Sequence, residues 1–122
     1  DTLIGGAGQN TMLGGRGDDT FMNLLGGNYM DGGDGADTVS YVNVSDFVNV
    51  DLGVGYTAGA ASGDYIYNIE NVTGSNYDDF LTGDDTRNTL DGGAGNDYID
   101  GGNGPDILIG GQGNDLLIGG EG

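Results

Sequence analysis

The sequence predicts an all-β solenoid, and three observations carry that prediction. Nine-residue units recur in fixed phase, seen best from Gly92 onward: GGAGNDYID, GGNGPDILI, GGQGNDLLI, then GGEG. The eighth position of each unit is apolar, here Ile99, Leu108 and Leu117, so every unit offers one short strand centred on an inward side chain. Finally, 29 glycines in 122 residues, with 35% hydrophobic content, are too glycine-rich for an ordinary globular core. A solenoid escapes that limit, because each coil buries its strand against the next. A disordered Gly/Asp linker would have no reason to hold such a register.

The loop half of each unit is as informative as the strand half. Three glycines within four residues, as in Gly92, Gly93 and Gly95, mark a backbone that visits positive φ or passes close to another chain segment. The aspartate at the sixth position can turn its carboxylate back toward the carbonyls that such a loop exposes. The result is a hard, all-oxygen environment of the kind that suits calcium.

Taken in order, residues 1–4 fit positions six to nine of a first unit. The phase then runs unbroken through GGAGQNTML, GGRGDDTFM, NLLGGNYMD and GGDGADTVS. Leu3, Met12, Phe21, Met30 and Val39 fill the eighth positions of this first block, residues 1–40. The unit starting at Asn23 has lost its leading glycines and should have the weakest loop. Residues 41–64 break the phase. Val42 and Val44, then Val48, Val50, Leu52 and Val54, alternate with polar or small residues, which predicts longer strands. The small, glycine-rich residues 53–63 predict a surface turn or loop. This insertion should continue the sheets, bulge outward and lack a core of its own. In the second block, residues 65–122, YIYNIENVT, GSNYDDFLT and GDDTRNTLD restore the phase in degenerate form, with Val72, Leu81 and Leu90 at the eighth position. Ile66, Ile69 and Val72 are spaced by three, which suggests a corner at Asn68. Residues 1–122 are read as one domain. The chain starts in mid-repeat at Asp1 and stops within a loop at Gly122, so a fragment of a longer repeat protein is expected.

A formal net charge of −18, from 20 acidic residues against Arg16 and Arg87, argues against nucleic acid, whose binding requires phosphate neutralisation by Lys and Arg. It disfavours an anionic membrane surface for the same reason. Crowded carboxylates repel in the compact state, so cations are expected as partners of the fold. Without Cys or His there is no thiolate or imidazole metal site and no disulfide. No apolar run of about 18 residues predicts a membrane span. With no His, Cys or Lys, the chain offers no catalytic set, and no enzymatic activity is expected of it. Adjacent acids such as Asp18 and Asp19 belong to the repeat rather than to a glycosidase pair.

These units fit the consensus Gly-Gly-x-Gly-x-Asp-x-apolar-x, and the chain resembles the RTX (repeats-in-toxin) family over nearly its whole length. Residues 68–81, NIENVTGSNYDDFL, are also similar to sequence that often precedes a strict repeat block in that family. The resemblance implies a right-handed parallel β-roll with two strands and two loops per 18-residue coil, interrupted here by the longer-stranded insertion. Applied to the chain, it sorts the sixth positions into rows. Asp1, Asp19 and Asp37 share one edge, Asn10 and Asn28 the other; Asp79, Asp97 and Asp115 share one, Glu70, Asn88 and Asp106 its opposite. Asp37 and Asp79 are expected on the same edge.

In such rolls a calcium ion sits between loops of successive coils and takes both sixth-position carboxylates plus four carbonyls. Carried over residue by residue, one implied site is Gly15, Gly17 and Asp19 with Gly32, Asp34 and Asp37. Another is Gly93, Gly95 and Asp97 with Gly110, Gln112 and Asp115. A less regular one is Ser75, Tyr77 and Asp79 with Gly92, Ala94 and Asp97. A half-acidic one is Asp84, Thr86 and Asn88 with Gly101, Asn103 and Asp106. Asp1 heads its row as a further candidate, whereas the loops ending at Asn10 and Asn28 supply no charge and are expected to be empty.

Several Ca2+ ions are thus the implied partners. Function is expected to be that of a calcium-binding module of a secreted bacterial protein, exported in one step and folded outside the cell. The resemblance also extends to modules appended to alginate epimerases, serralysin-type proteases and lipases, so neighbouring repeats or a catalytic domain are possible partners. Adhesin or ice-binding roles are the other class. The seventh-position threonines Thr11, Thr20, Thr38 and Thr89 are interrupted by Tyr29, Phe80 and Ile107, which leaves no flat threonine ladder for ice. Leu13, Met22, Ile109 and Ile118, at ninth positions, should face outward.

Overall fold

The computed structural model describes residues 1–122, except for the side chains of Asn23 and Leu24. The expectation of a weak loop opening at Asn23 therefore falls partly outside the described residues. In chain order the strands are β1 (Thr2–Ala7), β2 (Thr11–Arg16), β3 (Thr20–Leu25), β4 (Tyr29–Asp34), β5 (Thr38–Ser40), β6 (Val48–Asp51) and β7 (Tyr56–Gly59). There follow β8 (Tyr65–Tyr67), β9 (Asn71–Thr73), β10 (Phe80–Thr82), β11 (Thr89–Asp91), β12 (Tyr98–Asp100), β13 (Ile107–Ile109) and β14 (Leu116–Ile118). Among the described residues there is no helix.

Apart from the β6–β7 pair, successive strands lie in different sheets, as a coiled chain requires. The odd members of the first block lead into a six-stranded parallel sheet, β1-β3-β5-β9-β11-β13. The others form a three-stranded sheet, β2-β4-β8, and a five-stranded one, β14-β12-β10-β6-β7. Strand register follows the repeat: Leu3 lies opposite Phe21, Phe21 opposite Val39, and Leu81 opposite Ile99. The architecture is a β-solenoid of stacked parallel coils of about 18 residues.

The core is built on the eighth-position side chains facing one another between the sheets, joined near the insertion by Tyr41, Val48, Val50, Ile66 and Ile69. Met12, Phe21, Met30, Val39, Val72, Leu81, Leu90 and Ile99 belong to one buried cluster, with Leu3 and Leu108 packed against it. Each fully buried aliphatic or aromatic side chain contributes about 1.5–3 kcal/mol, which lets one residue per strand sustain the stack. Leu117 departs from the expected interior position. It is 41% exposed, lying on β14, the end strand of its sheet. At the ninth positions Leu13, Ile109 and Ile118 face outward as expected, and Met22 is half-buried.

The insertion differs from its expected form in several ways. Residues 42–44 form a turn rather than a strand. Residues 53–63 are not simply a loop: β7 lies within them and pairs antiparallel with β6, Val50 opposite Thr57. The hairpin buries Val48 and Val50 on the side of the core and leaves Val54, in its turn, exposed. Tyr65–Tyr67, expected to be the loop half of a degenerate unit, is strand β8, stacked on β4 with Ile66 opposite Met30. The chain then turns at Asn68, whose φ is 49°. An asparagine tolerates that left-handed conformation better than most residues. Ile66, Ile69 and Val72 are all buried around this corner.

That corner decides the register between the two blocks. β5 pairs directly with β9, Val39 opposite Val72, so the row of Asp37 continues to Glu70, 33 residues on. Asp79 instead precedes β10, in the sheet of β6. Asp37 and Asp79 therefore stand on different edges, contrary to the expectation from counting coils. The count fails because the hairpin and a three-residue corner replace whole nine-residue units.

Candidate metal centre

One hydrogen-bonding unit recurs along both edges. Along the acidic rows a sixth-position backbone N–H donates to the carboxylate of its counterpart in the next coil. Asp19 donates to Asp37 Oδ1 at 2.8 Å, Asn88 to Asp106 Oδ1 at 2.9 Å, Asp79 to Asp97 Oδ1 at 2.8 Å and Asp97 to Asp115 Oδ1 at 3.0 Å. The amino group of Asp1 plays the same part toward Asp19 Oδ1, at 2.7 Å. This geometry commits one carboxylate oxygen and aims the other inward. Among the described residues, Asp19 Oδ2, Asp37 Oδ2, Asp97 Oδ2 and Asp106 Oδ2 are buried without a hydrogen-bond partner. Four buried, unsatisfied anionic oxygens in one small chain are costly and call for a missing partner.

The glycine at the first loop position makes room for that partner. A methyl group on Gly14 would lie 2.5 Å from Asp19 Oδ2 and 2.5 Å from the carbonyl oxygen of Gly32 in the next coil. On Gly101 it would lie 2.7 Å from Asp106 Oδ2 and 3.1 Å from Gly119 O. The same position at Gly92 faces Asp97 Oδ2, and at Gly110 it faces Asp115 Oδ2. In the Gly14 and Gly101 cradles a carboxylate thus meets a backbone carbonyl, both acceptors, with no donor between them.

Electrostatics agree with the geometry. Burial pushes the Asp37 carboxyl up from the usual range, partly offset by the Asp19 N–H, with Asp19 and Asp18 adding repulsion. Burial also raises Asp97, with repulsion from Asp79 and Asp115. A divalent cation in the cradle would reverse the sign of these effects.

The first two implied sites are brought together. Gly15 and Gly17 point their carbonyls at Gly33 and Gly35 of the next coil, and Asp34 O accepts from Gly17 N at 2.7 Å. Gly93 O accepts from Gln112 N at 2.9 Å, and Gln112 O from Gly95 N at 2.8 Å. A second carbonyl lone pair remains for a cation in such contacts. The third set also converges: Gly92 O and Tyr77 O lie 2.6 Å from a methyl built on Gly74 and on Gly95, respectively, and Ser75 O faces Gly93. Ala94 there bridges to Gln112. Its Asp79, however, is already served. Oδ2 accepts from Ser75 N at 2.6 Å, and Oδ1 accepts from Val48 N and Ser75 Oγ, each at 2.8 Å. In the half-acidic set, Asn88 Oδ1 accepts from Asp84 N at 2.8 Å and Asn103 N donates to Asp84 O at 3.1 Å. Gly101 O faces Gly83, Thr86 O faces Gly104, and Asp106 Oδ2 stays open.

The Asn10 and Asn28 loops are wired differently. Asn10 Nδ2 donates to Gly8 O at 3.0 Å and to Asn28 Oδ1 at 2.9 Å. Asn28 Nδ2 donates to Gly26 O at 2.7 Å and to Asp64 Oδ1 at 2.9 Å. Tyr41 closes the network, its hydroxyl donating to Asp64 Oδ2 at 3.0 Å. Asparagine amide groups thus supply this row with donors from within the chain. Sequence reasoning misses Asp64 and Tyr41 in this role, since the broken phase hides that Asp64 continues the Asn10–Asn28 row.

Among the described residues no three acidic side chains gather on one point. Each candidate centre instead pairs two sixth-position groups, one coil apart, with backbone carbonyls. Two carboxylates balance one divalent ion, and oxygen donors alone favour calcium over softer metals. When bound, calcium would neutralise the paired carboxylates and tie successive coils together.

Comparison with protein families decides the identity. The model of the RTX calcium-binding nonapeptide repeat matches in four copies, at residues 1–21, 24–41, 73–108 and 100–122. The chain belongs to the RTX calcium-binding nonapeptide repeat family. A search of curated proteins found no match. In this RTX repeat chain the family match covers nearly all of the first repeat block and the second block from residue 73, while residues 42–72, which hold the hairpin and the Asn68 corner, lie outside it.

Proposed function

We propose that this chain is the calcium-binding repeat module of a secreted bacterial protein, folding when it meets extracellular calcium. The observation that carries this reading is the set of buried carboxylate oxygens at Asp19, Asp37, Asp97 and Asp106, each without a partner among the described residues. A stack with a net charge of −18 gains from every bound cation. Extracellular calcium modules have dissociation constants of about 10⁻⁴–10⁻³ M, so cytosolic calcium would leave the sites empty. Binding free energy is then folding free energy, and export can precede folding. Asp19 with Asp37 and Asp97 with Asp115 are the pairs best arranged to hold an ion. Asp79 with Asp97 and Asn88 with Asp106 are weaker, the first because Asp79 has protein donors and the second because Asn88 is uncharged. The module is not itself catalytic, and any reaction belongs to a neighbouring domain of the parent protein. Far-UV circular dichroism with and without chelator tests the reading. β-structure should vanish on chelation and return cooperatively with calcium. A spectrum indifferent to excess chelator would overturn it.

A further inference from the structure

The seam where the insertion rejoins the solenoid contains a cradle built partly from residues of the degenerate unit that the family match leaves out. Asp37 is fully buried, and its Oδ2 has no hydrogen-bond partner among the described residues. A methyl group placed on Gly32 would collide with both Asp37 Oδ2 and the carbonyl oxygen of Asn68. That is the relation already seen at Gly14, where Asp19 Oδ2 and Gly32 O converge, and at Gly101, where Asp106 Oδ2 and Gly119 O do. The Asn68 carbonyl therefore stands where a loop glycine's carbonyl stands in the repeats.

Two features hold it there. The left-handed backbone at Asn68, φ 49°, turns the chain within three residues, and the Asn68 Nδ2 donates to Asp31 Oδ1 at 2.8 Å. Two residues on, Glu70 Oε2 accepts from Asp37 N at 2.8 Å. It thus plays the part that Asp37 Oδ1 plays toward Asp19 N. The longer glutamate side chain reaches across a corner that is shorter than a repeat loop. Beside it, Asn68, Glu70 and Asp84 line a cleft of about 240 Å³.

We propose that this seam is a further calcium site, formed by Asp37 Oδ2, the Asn68 carbonyl and the Glu70 carboxylate, which clamps the start of the second repeat block onto the end of the first. It rests on the calcium reading above but takes Asn68 and Glu70 from a stretch that the family match leaves out. Two carboxylates again match one divalent charge. The ion would bridge β5 and β9 across the 33-residue excursion from Asp37 to Glu70, where the chain leaves the repeat.

A crystal structure of the calcium-saturated chain tests this, together with equilibrium dialysis of Glu70→Gln. The amide side chain of that variant would keep an acceptor for the Asp37 N–H while removing the charge. The expected results are an ion within about 2.3–2.6 Å of Asp37 Oδ2 and Asn68 O, and one bound calcium fewer per chain in E70Q. Ions in the repeat loops with none at the seam, or an unchanged count in E70Q, would overturn the seam site and leave the proposed function standing. Calcium absent from every loop would overturn both.

Discussion

Asp97 donates its backbone N–H to Asp115 Oδ1 at 3.0 Å while its own Oδ1 accepts from Asp79 N at 2.8 Å, so one aspartate links three successive coils. Its Oδ2 remains buried and without a partner among the described residues. Asp106 has one such link, to Asn88. Asp97→Ala should therefore raise the calcium midpoint for folding more than Asp106→Ala. Losing one partner of a buried ion costs about 3–5 kcal/mol. Calcium titrations followed by circular dichroism compare the two, and equal midpoints would reject the shared-ligand arrangement.

The cradle itself can be filled. Gly14→Ala would put a methyl group 2.5 Å from both Asp19 Oδ2 and Gly32 O, whereas one on Gly119 meets nothing within 4 Å. G14A should lose about one bound calcium per chain and about 1–3 kcal/mol of stability through overpacking. G119A should match the parent chain in both. Calorimetric titration reads the count.

Acid should act in opposite directions with and without calcium. Burial raises the carboxyls of Asp37, Asp79 and Asp97 in the fold. Their folded values exceed the unfolded ones, so the ion-free fold binds more protons than the unfolded chain. The stability this supplies is complete below the unfolded value, about 3.9 for Asp, and is lost as pH rises through the raised folded values. In chelator, acidification from neutrality should promote β-structure. With calcium, protons compete for the same oxygens, so the calcium midpoint should rise over that window. Titrations at several pH values check both arms, and a midpoint independent of pH would contradict them.

The amide-wired edge should answer to mutation without regard to calcium. Tyr41 is fully buried and donates to Asp64 Oδ2 at 3.0 Å. Burial raises the hydroxyl's pKa well above its ordinary value, with the negative charge of Asp64 adding to it. Tyr41→Phe strands a buried carboxylate oxygen and should cost about 1–3 kcal/mol. The loss should be equal at saturating and at intermediate calcium in urea unfolding. A loss that grows with calcium would place Tyr41 in an ion site instead.

What the sequence made legible was whatever the nine-residue phase encodes. Phe21, Val39, Leu81 and Ile99 are interior because a strand exposes alternate residues to one face, and phase fixes which face. The rows of Asp19 with Asp37 and of Asp97 with Asp115 follow from the same count. The register across the insertion was not legible, because it depends on the β6–β7 hairpin and on the left-handed turn at Asn68. Both are tertiary choices that leave no periodic mark. Leu117 escapes the pattern for a simpler reason: phase predicts which way a side chain points, while burial also requires a neighbour to cover it.

The asparagine row has a mechanical consequence. In the first coils, one margin is closed by Asn10, Asn28, Asp64 and Tyr41 through hydrogen bonds internal to the chain, and the facing margin carries the open oxygens of Asp19 and Asp37. Withdrawing calcium therefore loads these coils from one side only. The stitched margin should then be the last to part as chelator unfolds the chain, with the open margin gaping first.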